Sequence, residues 1–280
     1  MSNLPTVTAN GAEIPALGFG TFRMNGADTA RMVRHVLSHG YRHVDTAQIY
    51  GNEAEVGEGL AASGVARNDV FLTTKVWVAN TRHEAFLRSV DESLKKLRTD
   101  HVDLLLLHWP NAQVPLAEQI GALNRVKAAG KVRHIGVSNF STALMAEAVA
   151  LSQALLVTNQ VEYHPYLDQT PVLTAARKAG MSVTAYYGMA DGKVIGDAAI
   201  QAIGARHGKT AAQVVLRWLV QQQGVVALSK TVSEDRAAAN LAIFDFALSD
   251  DEMAAIHALA QPDGRLVSPD GLAPVWDAAA

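Results

Sequence analysis

The sequence predicts an α/β protein built as a closed (β/α)₈ TIM barrel, on three observations. Most of its apolar runs are almost continuous, which is typical of strands buried on both faces of a parallel sheet. Segments with helical periodicity separate these runs. No Gly-x-Gly-x-x-Gly turn follows the first apolar run, and its absence disfavours an open doubly wound sheet. Eight runs are found, at 17–19, 41–44, 70–73, 102–107, 132–137, 155–161, 182–186 and 225–228.

A β-hairpin is predicted ahead of the first barrel strand, over residues 6–15. Asn10 and Gly11 occupy its turn. Both tolerate the positive φ angles that a two-residue type I′ turn requires.

The helices are predicted from their periodicity and their ends. Within residues 81–97, Phe86, Val90 and Leu94 recur at helical spacing. Thr210 and Gln213 have the spacing of a capping box before an apolar helix. The last interval between strands is long, and we expect an extra helix in it near residues 197–207. Glycines stand where five helices should end: Gly40, Gly64, Gly130, Gly180 and Gly208.

Composition limits the classes of function. We expect one domain over residues 1–280, because no linker or low-complexity tract interrupts the pattern. With 24 Lys and Arg against 27 Asp and Glu, the net charge of −3 favours neither nucleic acid nor a membrane surface. Cysteine is absent, which excludes thiolate chemistry and fits a reducing compartment. No secretory signal begins the sequence, so a cytoplasmic location is predicted. No histidine and carboxylate cluster has metal-ligand spacing, so no metal is expected.

Polar side chains stand at the carboxyl ends of the predicted strands, where barrels carry their chemistry. Among them are Asp45, Lys75 and His108, and Tyr50 follows Asp45 closely. A Tyr hydroxyl has a pKa near ~10, and we expect the Lys75 ammonium to lower it. Asp45 can supply the counter-charge of a buried Lys75, and a neutral His108 can orient a carbonyl group. The set predicts proton-coupled carbonyl chemistry, with the reducing equivalent taken from a cofactor.

Several motifs in register resemble the aldo-keto reductase superfamily over about residues 6–265. The most similar branch is that of the small prokaryotic reductases of the 2,5-diketo-D-gluconate reductase type. The motifs are Val44-Asp45-Thr46-Ala47-x-x-Tyr50-Gly51-Asn52-Glu53, Thr74-Lys75-Val76-Trp77, Leu107-His108-Trp109-Pro110, Gly130-Lys131-Val132-Arg133-x-Ile135-Gly136-Val137-Ser138-Asn139-Phe140 and Asn159-Gln160-Val161-Glu162-Tyr163-His164-Pro165.

The resemblance implies a monomeric reductase that uses NADP(H) to reduce small aldehydes, ketones or keto-sugars. Tyr50 is then the general acid, Lys75 and Asp45 tune it, and His108 orients the substrate carbonyl. The resemblance also places the substrate pocket between Phe22, Trp77 and Trp109.

The same resemblance implies the cofactor contacts. Ser138, Asn139 and Gln160 hold the nicotinamide carboxamide, and Tyr186 stacks on the ring. Gly20 and Thr21 lie near the ribose and the nicotinamide. The segment that resembles an adenosine 2′-phosphate site comprises Lys230, Thr231, Val232, Ser233, Arg236 and Asn240.

Two departures from the family pattern concern the cofactor. Tyr187-Gly188-Met189-Ala190 replaces the usual Ser-Pro-Leu-Gly of the pyrophosphate clamp, and Ala239 replaces a Glu or Gln that meets the adenine. Both changes predict looser holding of the cofactor and leave the four catalytic candidates intact.

Alternative interpretations remain at this stage. Asp45 and Lys75 could form a purely structural ion pair. The barrel could be an NADPH-binding regulatory or partner subunit with little turnover. Lys75 could instead form a Schiff base in an aldolase, but the phosphate site would then have no purpose.

Overall fold

The computed structural model describes residues 4–278, in which eight parallel strands close into a barrel in chain order. An antiparallel hairpin precedes them, formed by β1 (Thr6–Ala9) and β2 (Ala12–Pro15). The predicted barrel and hairpin are therefore confirmed. The barrel strands are β3 (Leu17–Gly20), β4 (His43–Asp45), β5 (Phe71–Val76), β6 (Val102–Leu107), β7 (Val132–Ser138), β8 (Leu156–Glu162), β9 (Ser182–Tyr186) and β10 (Val225–Ser229).

Helices surround the barrel and include the extra one that the long last interval predicted, α7. Thr210 and Gln213 form the expected capping box, and the five helix-ending glycines all have positive φ angles, from 63° to 110°. The helices are α1 (Gly26–Ser38), α2 (Glu53–Ala62), α3 (His83–Lys96), α4 (Leu116–Ala128), α5 (Thr142–Leu151), α6 (Thr170–Lys178), α7 (Ala198–His207), α8 (Ala211–Gln221), α9 (Glu234–Leu241) and α10 (Asp250–His257).

The hairpin closes the amino end of the barrel. Its turn has φ angles of 45° at Asn10 and 84° at Gly11, as a type I′ turn requires. The Asn10 side chain donates to the carbonyl oxygens of Leu156 and Ala179, at 2.7 and 3.0 Å. Ile14 is fully buried in a cluster with side chains from the barrel strands. Since this end is covered, the carboxyl end of the barrel is left for a site.

The strand register brings the candidate residues to that carboxyl end. Gly20 pairs with Asp45, and Ser138 pairs with Gln160. Apolar side chains of the helices and strands fill the layer around the barrel. Burying each large one contributes roughly 1.5–3 kcal/mol to the free energy of unfolding. No helix within residues 4–278 is both long enough and apolar enough to cross a bilayer.

Candidate active site

The four residues predicted to carry the chemistry lie together at the carboxyl end of the barrel. Asp45 ends β4, Lys75 lies on β5, His108 directly follows β6, and Tyr50 ends a short 3₁₀ turn. Lys75 Nζ lies 2.5 Å from Asp45 Oδ1 and 3.3 Å from Tyr50 Oη, and it also donates to the Thr46 carbonyl oxygen at 2.9 Å. The ammonium therefore joins a carboxylate to a phenol.

Burial and charge together set the ionisation of this cluster. Burial lowers the pKa of Lys75, but Asp45 and Tyr50 more than offset that effect, so the pKa lies above its usual value. Burial raises the pKa of Tyr50, and Lys75 offsets only part of the rise. The expected net lowering of the Tyr50 pKa is thus not found, because removal from water outweighs the ammonium. Tyr50 keeps its proton at neutral pH, and Lys75 keeps its charge.

His108 is a neutral imidazole against the same phenol. Burial, reinforced by the Lys75 charge, holds its pKa well below 6.5. Its ring meets those of Tyr50 and Trp77 edge to face, with centroids 5.6 and 5.4 Å away. A neutral imidazole carries one N–H donor, which can orient a carbonyl oxygen beside Tyr50.

Polar residues that the sequence argument did not single out hold the Tyr50 loop in place. Asn52 donates to the Thr21 carbonyl oxygen at 2.9 Å and accepts from Thr46 Oγ1 at 3.1 Å. Gln48 Oε1 accepts from the backbone N–H of Trp77 at 2.9 Å. Asn52 belongs to the sequence motif around Tyr50, and that motif was the signal from which its role could have been predicted. The Thr21 hydroxyl donates to the Asp45 carbonyl oxygen at 3.2 Å and so braces this loop, and its expected position near the cofactor stays a prediction.

Two of the three residues expected at the nicotinamide carboxamide, Asn139 and Gln160, are hydrogen-bonded to the catalytic candidates. Asn139 Nδ2 donates to the His108 carbonyl oxygen at 2.9 Å, and Tyr186 Oη donates to Asn139 Oδ1 at 2.7 Å. Gln160 Nε2 donates to Asp45 Oδ2 at 2.8 Å. Burial raises the pKa of Tyr186 well above 10, so its phenol is neutral. The structure thus brings these residues and the catalytic candidates to one place.

The segment expected to bind a phosphate group runs from the end of β10 into α9. The side chains of Lys230 and Arg236 are exposed, and within residues 4–278 neither makes a hydrogen bond or an ion pair. Ser233 caps α9 by accepting from the Arg236 N–H at 3.4 Å. Two unpaired cations at a helix N-terminus form a donor set suited to a dianion. Thr231, Val232 and Asn240 lie in the same segment.

The altered loop after β9 reaches across to the loop after β3. Tyr187, Ala190 and Asp191 all have positive φ angles, and a 3₁₀ segment occupies Ala190–Gly196. Arg23 lies 3.7 Å from Asp191, and both side chains are mostly exposed. Looser holding of the cofactor by this loop stays a prediction.

Aromatic side chains surround the space beside Tyr50 and His108. Phe22, nearly half exposed, packs on Tyr50 with ring centroids 5.0 Å apart. Trp77 contacts His108, and Trp109 meets Trp276 with centroids 6.2 Å apart. Phe22 and Trp77 therefore contact the catalytic candidates, and Trp109, directly after His108 in sequence, meets an aromatic residue from the far end of the chain.

Trp276 belongs to a C-terminal strap, residues 262–278, that is anchored at two carboxylates. The buried Glu162 accepts from the backbone N–H groups of Leu266 and Val267, at 2.7 and 2.9 Å. Asp277 accepts from the backbone N–H of Thr142, the first residue of α5, at 3.0 Å. Arg265 lies over the Trp276 ring, 3.8 Å from its centroid. These anchors explain how the strap holds the Trp276 indole against Trp109.

Replacing Asp277 with Ala should detach the end of the strap. We expect a loss of about 1 kcal/mol in the free energy of unfolding, since Asp277 caps α5. The KM for carbonyl substrates should rise because Trp276 is no longer held against Trp109. Urea unfolding and steady-state kinetics measure the two effects. Asp270→Ala, an exposed change in the same strap, is the control, and equal behaviour of the two variants would contradict the anchoring role.

The fold and the site together define an oxidoreductase built on a (β/α)₈ barrel. The comparison with known proteins is more specific: the chain belongs to the aldo/keto reductase family, whose model matches residues 16–261. It is 45% identical over 267 residues to the methylglyoxal reductase DkgB of Salmonella typhimurium, which covers 94% of this chain and 99% of that protein.

Solved structures agree with this membership. The crystal structure of a protein proposed to be a 2,5-diketo-D-gluconic acid reductase B matches this chain with a TM-score of 0.97 and 67% identity, over 98% of each chain. A mutant of Gox0644 crystallised with NADPH matches with a TM-score of 0.90 and 34% identity, over 96% of this chain and 97% of that one. The expected family is therefore confirmed.

Proposed function

We propose that this chain reduces small 2-oxoaldehydes of the methylglyoxal type to hydroxy compounds, with NADPH as the reductant and Tyr50 as the proton donor. One observation carries the proposal: the buried Lys75 ammonium lies between Asp45 Oδ1, at 2.5 Å, and Tyr50 Oη, at 3.3 Å. A structural ion pair alone would not require a phenol at the ammonium or a neutral imidazole beside that phenol.

The residues present fit a phosphorylated dinucleotide. Lys230 and Arg236, exposed and unpaired within the described chain, suit the 2′-phosphate, and Ser138, Asn139 and Gln160 offer hydrogen-bonding groups to an amide. NADPH is present in the related Gox0644 structure. When bound, the cofactor supplies a hydride to the carbonyl carbon.

The protein's own residues carry the proton side of the reaction. His108 donates its ring N–H to the carbonyl oxygen and so fixes the orientation of the substrate. As negative charge develops on that oxygen, Tyr50 transfers its hydroxyl proton to it. The Lys75 ammonium stabilises the tyrosinate that forms, and Asp45 keeps Lys75 charged in its buried position.

The pocket walls support a small substrate. Phe22, Trp77 and Trp109 line the site, and the strap adds Trp276. The name of the Salmonella relative specifies methylglyoxal. Stopped-flow oxidation of NADPH and of NADH against aldehydes, ketones and keto-sugars is the test. We expect methylglyoxal to be reduced with a preference for NADPH. Tight NADPH binding without turnover of any carbonyl would favour a regulatory subunit instead.

Replacing Lys230 and Arg236 together with Ala should weaken NADPH selectively. Each charge-assisted hydrogen bond contributes about 1.5–3 kcal/mol, so the KM for NADPH should rise by at least ~10-fold. The KM for NADH should hardly change, since NADH lacks the 2′-phosphate. Steady-state kinetics with each cofactor measure both values, and equal losses for the two cofactors would contradict the assigned phosphate site.

A further inference from the structure

The Asp45 carboxylate has two buried oxygens, and a different side chain holds each of them. Oδ1 accepts from Lys75 Nζ at 2.5 Å, and Oδ2 accepts from Gln160 Nε2 at 2.8 Å. Asp45 and Gln160 are each only 2% exposed. Within residues 4–278, no other group donates to Oδ2. Because a buried carboxylate oxygen without a donor is strongly disfavoured, Gln160 is needed for the stability of this arrangement.

The chemistry of the two partners fixes the orientation of the Gln160 amide. A carboxylate only accepts hydrogen bonds, so the amide nitrogen must face Asp45. Oε1 makes no hydrogen bond with the described residues and stays available to another donor. The backbone of Gln160 is also held, because its carbonyl oxygen accepts from Ser138 Oγ at 2.8 Å and from the Asn139 N–H at 2.9 Å. Strand β8 therefore presents the amide to Asp45 in a set position.

We propose that Gln160 is a positioning residue for the proton donor: by donating to Asp45 Oδ2 it aims Oδ1 at Lys75 and so holds the ammonium against Tyr50. The inference rests on the proposed function. It goes beyond the carboxamide contact that the family resemblance implies, and the two roles use different atoms, Nε2 for Asp45 and Oε1 for a cofactor amide.

Loss of the Nε2 donor should weaken Tyr50 as an acid. Without it, nothing in the described chain holds Oδ2, so the Asp45 carboxylate can turn and Oδ1 no longer fixes the Lys75 ammonium against Tyr50. Gln160→Met removes the donor with little change in volume. We expect kcat at saturating NADPH to fall by about 10-fold, since full general acid catalysis is worth ~10²- to 10⁴-fold.

Gln160→Glu tests the same donor through its pH dependence. The introduced carboxyl can donate to Asp45 only while it is protonated, so kcat should persist at low pH and fall as pH rises through the ionisation of the carboxyl pair. Burial lowers the pKa of His43 to about 4 and that of His108 well below 6.5. The other neighbours are Lys75, Tyr50 and Tyr186. Their pKa values are raised above their usual values, which already lie far above neutral pH. A new fall in the pH profile of kcat near neutral pH would therefore come from ionisation of the introduced carboxyl.

A double-mutant cycle in the cofactor-free protein measures the contact without any activity. Urea unfolding is followed for wild type, Gln160→Met, Asp45→Asn and the double variant. If the two sites were independent, the fold-changes of the single variants in the unfolding equilibrium constant would multiply in the double variant. We expect the double variant to differ from that product by about 10-fold. Tyr166→Phe replaces Gln160→Met in a control cycle, and there the effects should multiply to within about twofold, since Tyr166 donates to Asp197 and, among the described residues, shares no partner with Asp45.

The kinetic and unfolding results decide the proposal together. It is overturned if the Gln160→Met and Asp45→Asn effects simply multiply. It is also overturned if Gln160→Met and Gln160→Glu raise only the Kd for NADPH and leave kcat and its pH profile unchanged, as a pure carboxamide ligand would. If wild type oxidised no NADPH with any carbonyl, the proposed function would fail, and the unfolding cycle would still decide the contact between Gln160 and Asp45.

Discussion

Tyr50→Phe is expected to lower kcat for carbonyl reduction by ~10²- to 10⁴-fold while leaving NADPH affinity nearly unchanged. The change removes only the hydroxyl that lies 3.3 Å from Lys75 Nζ, and it keeps the ring that packs against Phe22 and His108. Because burial keeps the Tyr50 pKa above its usual value, the wild-type phenol holds its proton across the neutral range, and its ionisation should not limit kcat there. Single-turnover NADPH oxidation and fluorescence titration of NADPH measure the two effects.

A matched Tyr-to-Phe change elsewhere separates the loss of the proton donor from a general loss of a hydroxyl. Tyr166 donates to Asp197 Oδ2 at 2.9 Å, and neither residue belongs to the catalytic cluster. Tyr166→Phe should therefore keep kcat near the wild-type value. If Tyr50→Phe also turned over at the native rate, another group would be delivering the proton.

Lys75→Met is expected to cause the largest loss of stability together with loss of activity. The Lys75 side chain is fully buried, and its ammonium is the counter-ion of the buried Asp45. Removing one partner of such a pair destabilises the fold by about 3–5 kcal/mol, because the other charge is left uncompensated. Activity should fall with it, since the tyrosinate loses its nearest cation. Urea unfolding and the carbonyl assay measure the two losses.

The pH dependence of the Lys75→Met variant has a definite sign. Without the ammonium, the buried Asp45 carboxylate has no counter-ion. The penalty is fully present at neutral pH and shrinks on acidification, because a protonated carboxyl leaves no charge buried in the folded state. Asp45→Asn in the Lys75→Met background should restore stability but not activity. A stability loss of Lys75→Met that grew on acidification would contradict the account. A double variant that regained activity together with stability would also contradict it.

The fold was predictable because its signals are local. Continuous apolar runs, the Asn10–Gly11 turn and the glycine helix ends each follow from a few neighbouring residues, and the structure has all of them. The convergence of Asp45, Lys75 and His108 was predictable as well, because the carboxyl ends of parallel barrel strands meet at one end.

Other parts of the site depend on long-range packing, which no local pattern encodes. The strap reaches Trp109 only because Glu162 and Asp277 anchor it at two distant points. The pKa of Tyr50 depends on how deeply the ring is buried, so the sign of its shift could not be read from its neighbours in sequence. The bond between Gln160 and Asp45 joins side chains 115 positions apart.

A crystal structure with oxidised dinucleotide and an unreactive carbonyl analogue tests the central claim most directly. We predict the analogue oxygen within about 2.6–3.2 Å of Tyr50 Oη, and its carbon about 3–3.5 Å from nicotinamide C4. A dinucleotide bound away from Lys75, or an analogue oxygen beyond the reach of Tyr50, would contradict the assignment of this phenol as the proton donor.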